Sequence, residues 1–233
     1  MIKQNILFII PARGGSKSLS KKNTRLFNGK PLIKYTIDAA KNANMGKIIV
    51  STEDKEIKQI CVNYGVQIID RPKKLATDRA LIIPVIKQVL KFLDKKEDYR
   101  PNIIVLLQPT SPLRTARHIK EAINYLIKTN SDSIVSITPL KEPLEWVFRI
   151  DVAGFVKRYL NTKEILRRQD AEQLYYLNGA IFAAKTEYIM KSNSFICDKT
   201  VGYLMQQEDS IDIDTGIDFF IAEKLMLKRY KKD

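Results

Sequence analysis

Asn5-Ile6-Leu7-Phe8-Ile9-Ile10-Pro11-Ala12-Arg13-Gly14-Gly15-Ser16-Lys17 decides how the rest of the chain is read. Asn5–Ile10 is an apolar run of strand length that lacks the alternation of a half-exposed strand. It is expected to be a β-strand buried on both faces. The run passes at once into a loop that holds two glycines, a serine, an arginine and, with Lys21 and Lys22, three lysines. A strand that delivers a glycine-rich basic loop to a sheet edge suits a polyphosphate. Glycines let the backbone approach, N–H groups point at the anion and lysines neutralise it. The candidate anion-binding residues are Ala12, Arg13, Gly14, Ser16, Lys17, Lys22 and Asn23. The spacing matches neither a Walker A loop nor Gly-x-Gly-x-x-Gly. A basic surface loop after an edge strand remains the alternative.

Outward from this stretch the same alternation repeats. Short apolar runs at Lys47–Ser51, Val66–Ile69, Ile103–Leu107 and Ser133–Ile137 are expected strands. Between them lie helical stripes: Leu32, Ile33, Ile37 and Ala40 after Pro31; the segment Lys55–Tyr64; Val85, Val89, Leu90 and Leu93 after Pro84; and Ile119, Ala122, Ile123 and Leu126. Repeated βαβ units imply an α/β domain with a mainly parallel sheet and helices on both faces. The periodicity fails from Pro139 to Tyr176, and residues 139–176 are expected to be an insertion with short strands of its own, of the kind that forms a lid or a subunit contact. Strand character returns at Tyr175–Ala184. A last helix is expected from about Gly216 to Tyr230, with Thr215 and Asp218 as a capping box and Ile217, Phe220, Ile221 and Leu225 inward.

Ligands of open α/β sheets bind beyond the carboxyl ends of the strands. The loops expected there are Pro11–Lys30, Thr52–Asp54, Asp70–Asp78 and Gln108–Arg114, and Arg71 places a guanidinium at one of these strand ends. Any one of them alone would pass for a connector; together, opposite the basic loop, they favour a nucleotide site. Asp212-Ile213-Asp214 is the second sharp signal. Its i, i+2 spacing puts both carboxylates on one side of an extended chain, where they repel unless a cation lies between them. Mg²⁺ is commonly held by one or two carboxylates plus substrate phosphates. The alternative has Asp214 capping the last helix and Asp212 as a surface charge.

At 233 residues and 45% hydrophobic content, the chain fits one α/β domain, taken as residues 1–233. No apolar run approaches the roughly 18 residues needed to span a membrane, and no signal peptide is evident, so a cytoplasmic protein is expected. Two cysteines, Cys61 and Cys197, at no metal-like spacing exclude a disulfide scaffold. His118 is the only histidine and is expected at the surface or in a cap. The net charge of +14 points to anionic partners. The lysines are scattered, however, and no aromatic or recognition-helix pattern supports nucleic-acid binding.

Five segments together resemble the acylneuraminate cytidylyltransferases, also called CMP-sialic acid synthetases. They are Ile10–Lys17, Lys22-Asn23, Leu106–Thr115, Asn178-Gly179-Ala180-Ile181 and Asp209–Thr215, in order over nearly the whole chain. The resemblance implies a three-layer, Rossmann-like nucleotide-diphospho-sugar transferase fold whose small insertion serves dimerisation. It also implies a reaction in which CTP and a nine-carbon 2-keto sugar acid give a CMP-sugar and pyrophosphate with Mg²⁺. The anomeric C2 hydroxyl attacks the α-phosphate in line, and the product would be a donor for bacterial surface glycans. On this reading Arg13, Ser16, Lys22 and Asn23 hold the triphosphate, with Lys17 and Lys21 as further candidates. Arg71 and Asp78 contact the nucleotide, and Asp212 and Asp214 hold Mg²⁺. Gln108 fits a sugar or nucleotide contact, Asn178 and Tyr176 face the sugar, and Arg168 reaches the sugar acid of the partner subunit in a homodimer. The expected partners are these small molecules, with neither nucleic acid nor membrane among them.

The chain departs from the family pattern at three places. Lys17-Ser18 stands where Lys-Gly is common, Arg79-Ala80-Leu81 follows Asp78 where small hydroxyl residues are usual, and Tyr176 replaces an arginine. The last departure leaves N-acetylneuraminic, legionaminic and pseudaminic acid all open as acceptors. Kdo-type and other sugar nucleotidylyltransferases are the nearest rivals, and a basic nucleic-acid-binding module is the non-enzymatic one.

Overall fold

The computed structural model describes residues 4–15, 19–160, 165 and 167–230. Strand β1 (Ile6–Pro11) leads to a small hairpin, β2 (Leu26–Phe27) and β3 (Lys30–Pro31), then helix α1 (Leu32–Ala43). There follow β4 (Lys47–Thr52), α2 (Lys55–Asn63), β5 (Gln67–Asp70), α3 (Ile82–Glu97), β6 (Ile103–Leu106), α4 (Ala116–Thr129) and β7 (Ser133–Pro139). A second hairpin, β8 (Phe148–Ile150) and β9 (Val156–Arg158), precedes β10 (Tyr175–Lys185), α5 (Thr186–Ser192), β11 (Thr200–Leu204) and α6 (Gly216–Tyr230).

The main sheet has seven strands in the order β11-β7-β10-β6-β1-β4-β5. Only β10 runs against its neighbours, β6 and β7; the other pairings are parallel. The chain leaves β1 toward β4 and β5, then crosses back to β6 on the other side. The strand order therefore reverses between β1 and β6, and a crevice opens at their carboxyl ends.

The alternation of β1 shows why its run is apolar throughout. Ile6, Phe8 and Ile10 pack with Ile33 and Ile37 of α1, Ile57 and Cys61 of α2, and Ile119 and Ile123 of α4. Leu7 and Ile9 pack on the opposite face with Ile83, Ile86 and Val89 of α3 and Ile189 of α5. The result is the expected three layers, and all four expected helix stripes lie inward. Cys61 is part of this core, where burial pushes its thiol up to about 12, so it is unreactive.

A third, smaller core differs from the expectation for the last helix. Phe219, Ala222 and Met226 of α6 pack with Phe27, Tyr35, Leu113 and Ile213, whereas Ile217, Phe220 and Ile221 are exposed. The helix is apolar on two faces, and its inward face is chosen by the β2–β3 hairpin. There Asn28 donates from its backbone to Glu223 Oε1 at 3.0 Å, and the Phe27 and Phe219 rings meet edge to face.

Candidate active site

The crevice at the strand-order reversal is a cleft of about 300 Å³. Arg13, Lys22 and Asn23 line one side, Arg71 and Asp78 another, and Gln108, Thr110 and Asp214 a third. Sequence-distant segments therefore meet at one sheet edge, as expected. Ser16 and Lys17 lie outside the described residues.

The basic loop is held in shape by its own residues and its neighbours. The Ala12 N–H extends the sheet by donating to Ser51 O at 3.0 Å. Asn23 Nδ2 donates to Arg13 O at 2.9 Å, closing the loop on itself. Gly14 has no room for a side chain, because a Cβ there would come within 2.3 Å of Asp54 Oδ2. Its N–H donates to Glu53 Oε1 at 2.8 Å. Arg13 pairs with Asp78 across the cleft. Lys21 turns away and pairs with Glu56 of α2 at 2.9 Å, so the structure does not bring it to the cleft. Arg71 is buried beside Arg13 and donates to Ser51 Oγ at 3.2 Å and Ser51 O at 2.8 Å. Burial pulls its pKa down, with Glu53 working against that shift.

Ile213 positions the Asp-x-Asp segment. Its side chain enters the third core and its N–H donates to Thr110 O at 2.8 Å. The period of an extended chain then turns Asp212 and Asp214 the other way. Lys22, only 10% exposed, spans the gap: its Nζ lies 2.6 Å from Ile213 O and 3.0 Å from Asp214 Oδ1. Neither half of the alternative reading matches the geometry. The α6 cap is Thr215 with Asp218, whose Oδ2 accepts from Thr215 N at 2.7 Å and Asp214 N at 3.1 Å. Asp212 is no surface charge, because its Oδ1 is buried with no hydrogen-bond partner. Burial raises its pKa; the Thr110 hydroxyl opposes this and the Asp214 charge adds to it. An ionised carboxylate with one orphaned oxygen is a poor structural element and a good cation ligand.

The wall behind the aspartates comes from a break in β10. The β7–β10 register shifts between Leu177 and Phe182. Gly179 takes φ +75° there, and a Cβ on it would lie 3.1 Å from Asp212 Oδ2. Such irregularities re-aim backbone beside active sites. Asn178 corrects the expectation of a sugar contact, since its amide is engaged within the protein. Oδ1 accepts from Ser136 Oγ at 2.5 Å and Ala180 N at 3.2 Å, and Nδ2 donates to Ser210 Oγ at 2.8 Å. Its place is to hold the bulge. Arg168 lies beside Glu172 and Leu174, away from the cleft, and Tyr176 is exposed on the outer end of β10. A single chain brings neither to the site.

Two further groups hold the site from behind. Arg114 is fully buried, which pulls its pKa down to about 9. It donates to Gln108 O at 3.1 Å, Ala180 O at 2.7 Å and Thr36 Oγ1 at 2.7 Å, tying the loop after β6 to the middle of β10 and of α1. Its place in Gln108–Arg114 was visible; two of its three partners, Ala180 and Thr36, come from distant segments. The second group is His118, Asp209 and Arg229. Arg229 pairs with Asp209 and donates to Leu113 O at 2.8 Å, and His118 Nε2 lies 3.4 Å from Asp209 Oδ2. His118 caps α4 with Thr115 as expected, but it is buried rather than at the surface. Burial, with the charges of Arg117 and Arg229, lowers its pKa from 6.5 to about 4. Because the folded pKa is depressed, the unfolded chain takes the proton first. Stability should therefore fall as pH drops from about 6.5 toward 4, by up to ~3 kcal/mol. His118→Gln keeps a capping box and has no charge to gain. Its urea midpoint should decline less than the parent's over that window; parallel declines would contradict the assignment.

Comparison with known proteins gives a consistent result. A family model described as cytidylyltransferase matches residues 7–232. The chain is 37% identical over 214 residues to an N-acylneuraminate cytidylyltransferase of Streptococcus agalactiae, covering 91% of this chain and 51% of that protein. It thus spans about half the length of that relative. It is 38% identical over 224 residues to a CMP-N,N'-diacetyllegionaminic acid synthase of Legionella pneumophila, covering 95% of this chain and 96% of that one. Among solved structures, a CMP:2-keto-3-deoxy-manno-octonic acid synthetase complexed with CTP superposes with a TM-score of 0.71. It is 14% identical and covers 97% of this chain and 99% of that one, a likeness of fold.

Proposed function

Because the chain belongs to the cytidylyltransferase family, we propose that it transfers CMP from CTP to a nine-carbon 2-keto sugar acid and releases pyrophosphate. The observation that carries this reading is Lys22, which joins the basic loop to the Asp212–Asp214 segment across the strand-order reversal. Arg13 and Lys22 hold the triphosphate and stabilise charge developing on the leaving pyrophosphate. Asn23 keeps the Arg13 carbonyl, and so the loop, in place. Arg71 and Asp78 border the nucleotide, and Gln108 borders the sugar at the end of β6.

Asp212 and Asp214 are the residues that would hold Mg²⁺. Among the described residues no group of three or more His, Cys, Asp or Glu is placed to hold a metal ion by itself, so the remaining ligands would be phosphate oxygens and water. When bound, the metal neutralises the phosphates and lowers the pKa of the attacking hydroxyl.

The exposed apolar residues of the insertion support a homodimer. Phe148, Ile150, Phe155 and Val156 of the β8–β9 region and Tyr175, Tyr176 and Leu177 at the start of β10 all face outward. A contact of this kind would bring Arg168 and Tyr176 to the partner's sugar site. No helix among the described residues is long and apolar enough to cross a membrane.

The test is pyrophosphate release with each of the four nucleoside triphosphates against N-acetylneuraminic, legionaminic, pseudaminic and Kdo acids. CTP with one nine-carbon acid should give the highest rate. Activity without CTP preference would overturn the reading, and equal rates on the nine-carbon acids would remove Tyr176 as a specificity determinant.

A further inference from the structure

The turn after β4 places two carboxylates against the anion-binding loop, and they have different duties. Asp54 is committed to structure: it caps α2, accepting from Ile57 N at 2.9 Å. Glu53 is not. One of its oxygens accepts the Gly14 N–H at 2.8 Å, and the other is buried with no hydrogen-bond partner. A half-satisfied buried carboxylate costs stability, and a structural anchor would be better served by an amide or a hydroxyl. The group it does engage is a backbone N–H of a glycine-rich basic loop, the kind of donor that cradles phosphate. Arg71, within electrostatic reach of both Glu53 and Arg13, supplies the positive field that keeps an anion there.

We propose that Glu53 is an intramolecular competitor for the Gly14 N–H, a carboxylate that the triphosphate of CTP displaces. The proposal rests on the nucleotide-binding reading of the cleft and adds a determinant of its affinity. On binding, a phosphate oxygen takes the Gly14 N–H and Glu53 turns toward solvent. Gly14 serves both states, because any side chain there would strike Asp54. Glu53 thereby weakens CTP binding, which favours turnover over tight occupancy.

The test compares the unmodified enzyme with Glu53→Gln by calorimetry, using CTP, inorganic tripolyphosphate and cytidine. The amide variant removes the charge and keeps an acceptor. It should bind CTP and tripolyphosphate roughly five- to tenfold more tightly and cytidine equally. Unchanged or weaker tripolyphosphate binding by a folded variant would overturn the proposal. Failure of the unmodified enzyme to bind CTP would instead overturn the functional reading. Should the variant not fold, the unmodified enzyme still decides the matter. The Gly14 amide resonance should shift on titration with tripolyphosphate and stay put with cytidine; an unmoved resonance with tripolyphosphate counts against displacement.

Discussion

Asp212→Asn should lower kcat by about 100- to 1,000-fold, a loss typical of removing one transition-state electrostatic contact, while leaving the protein at least as stable as the parent. The two halves of this expectation have one cause. The Asp212 carboxylate is largely buried, its Oδ1 has no partner, and Asp214 adds a second negative charge nearby. Its folded pKa is raised, so the folded protein binds the proton more tightly than the unfolded chain does. Ionisation at neutral pH therefore works against folding. Asparagine has the same shape and no charge to desolvate, so thermal unfolding without added metal should shift upward or stay level. Activity should move the other way, and raising Mg²⁺ should not restore it. A variant that unfolds early would make Asp212 a structural acid. A variant that stays fully active would remove it from the metal site.

Much of the sheet was legible because its strands are buried on both faces. The β1 run, Ile6 to Ile10, shows strand length and two-sided burial without help from any neighbour. The four helix stripes were legible because each has one partner surface. The last helix was not, because apolarity around its circumference does not say which side meets the protein. Phe219 is inward because Phe27 and Tyr35 wait there, and that contact depends on the Asn28-Gly29 turn nearly 200 positions earlier. Asn-Gly between Leu26-Phe27 and Lys30-Pro31 is a two-residue hairpin signal, and it was available in the sequence. Strand β11 was hidden for another reason: it is an edge strand of mixed burial, interrupted by Gly202, whose Cβ would strike Ile137. Only the partner strand explains that glycine.

The candidate site divides along the same line. Arg13, Lys22, Arg71 and the Asp-x-Asp pair could be picked out by residue type and position at strand ends. Glu53, Arg114 and Arg229 could not, since what marks them is the partner each meets. The same is true of Asn178, whose sequence context, Asn-Gly in a strand, signals a bulge but not the Ser136 and Ser210 hydroxyls that occupy its amide. Residues that touch a substrate are constrained by chemistry, which residue type reveals. Residues that hold them are constrained by geometry, which appears only with the fold.

Lys22→Gln tests the bridge between the two halves of the site, and its expected effect is about a 100-fold loss in kcat/KM for CTP, equivalent to ~3 kcal/mol of transition-state stabilisation. Lys22 has two partners of different kinds. Ile213 O is a backbone acceptor that glutamine can still reach in part, whereas Asp214 Oδ1 belongs to a carboxylate that is 73% exposed. Solvent reaches the pair from the carboxylate side and screens it, so it contributes little to folding. If Lys22 served structure alone, Lys22→Gln and Asp214→Asn would both be nearly neutral in activity. If it holds the triphosphate, the two variants part company. Lys22→Gln should raise KM for CTP and lower kcat, with Mg²⁺ dependence unchanged. Asp214→Asn should leave tripolyphosphate binding intact in the absence of metal and raise the Mg²⁺ concentration needed for half-maximal rate. Matching kinetic defects in both variants would mean that the ammonium and the carboxylate act as one pair, and that the triphosphate is held by Arg13 without Lys22.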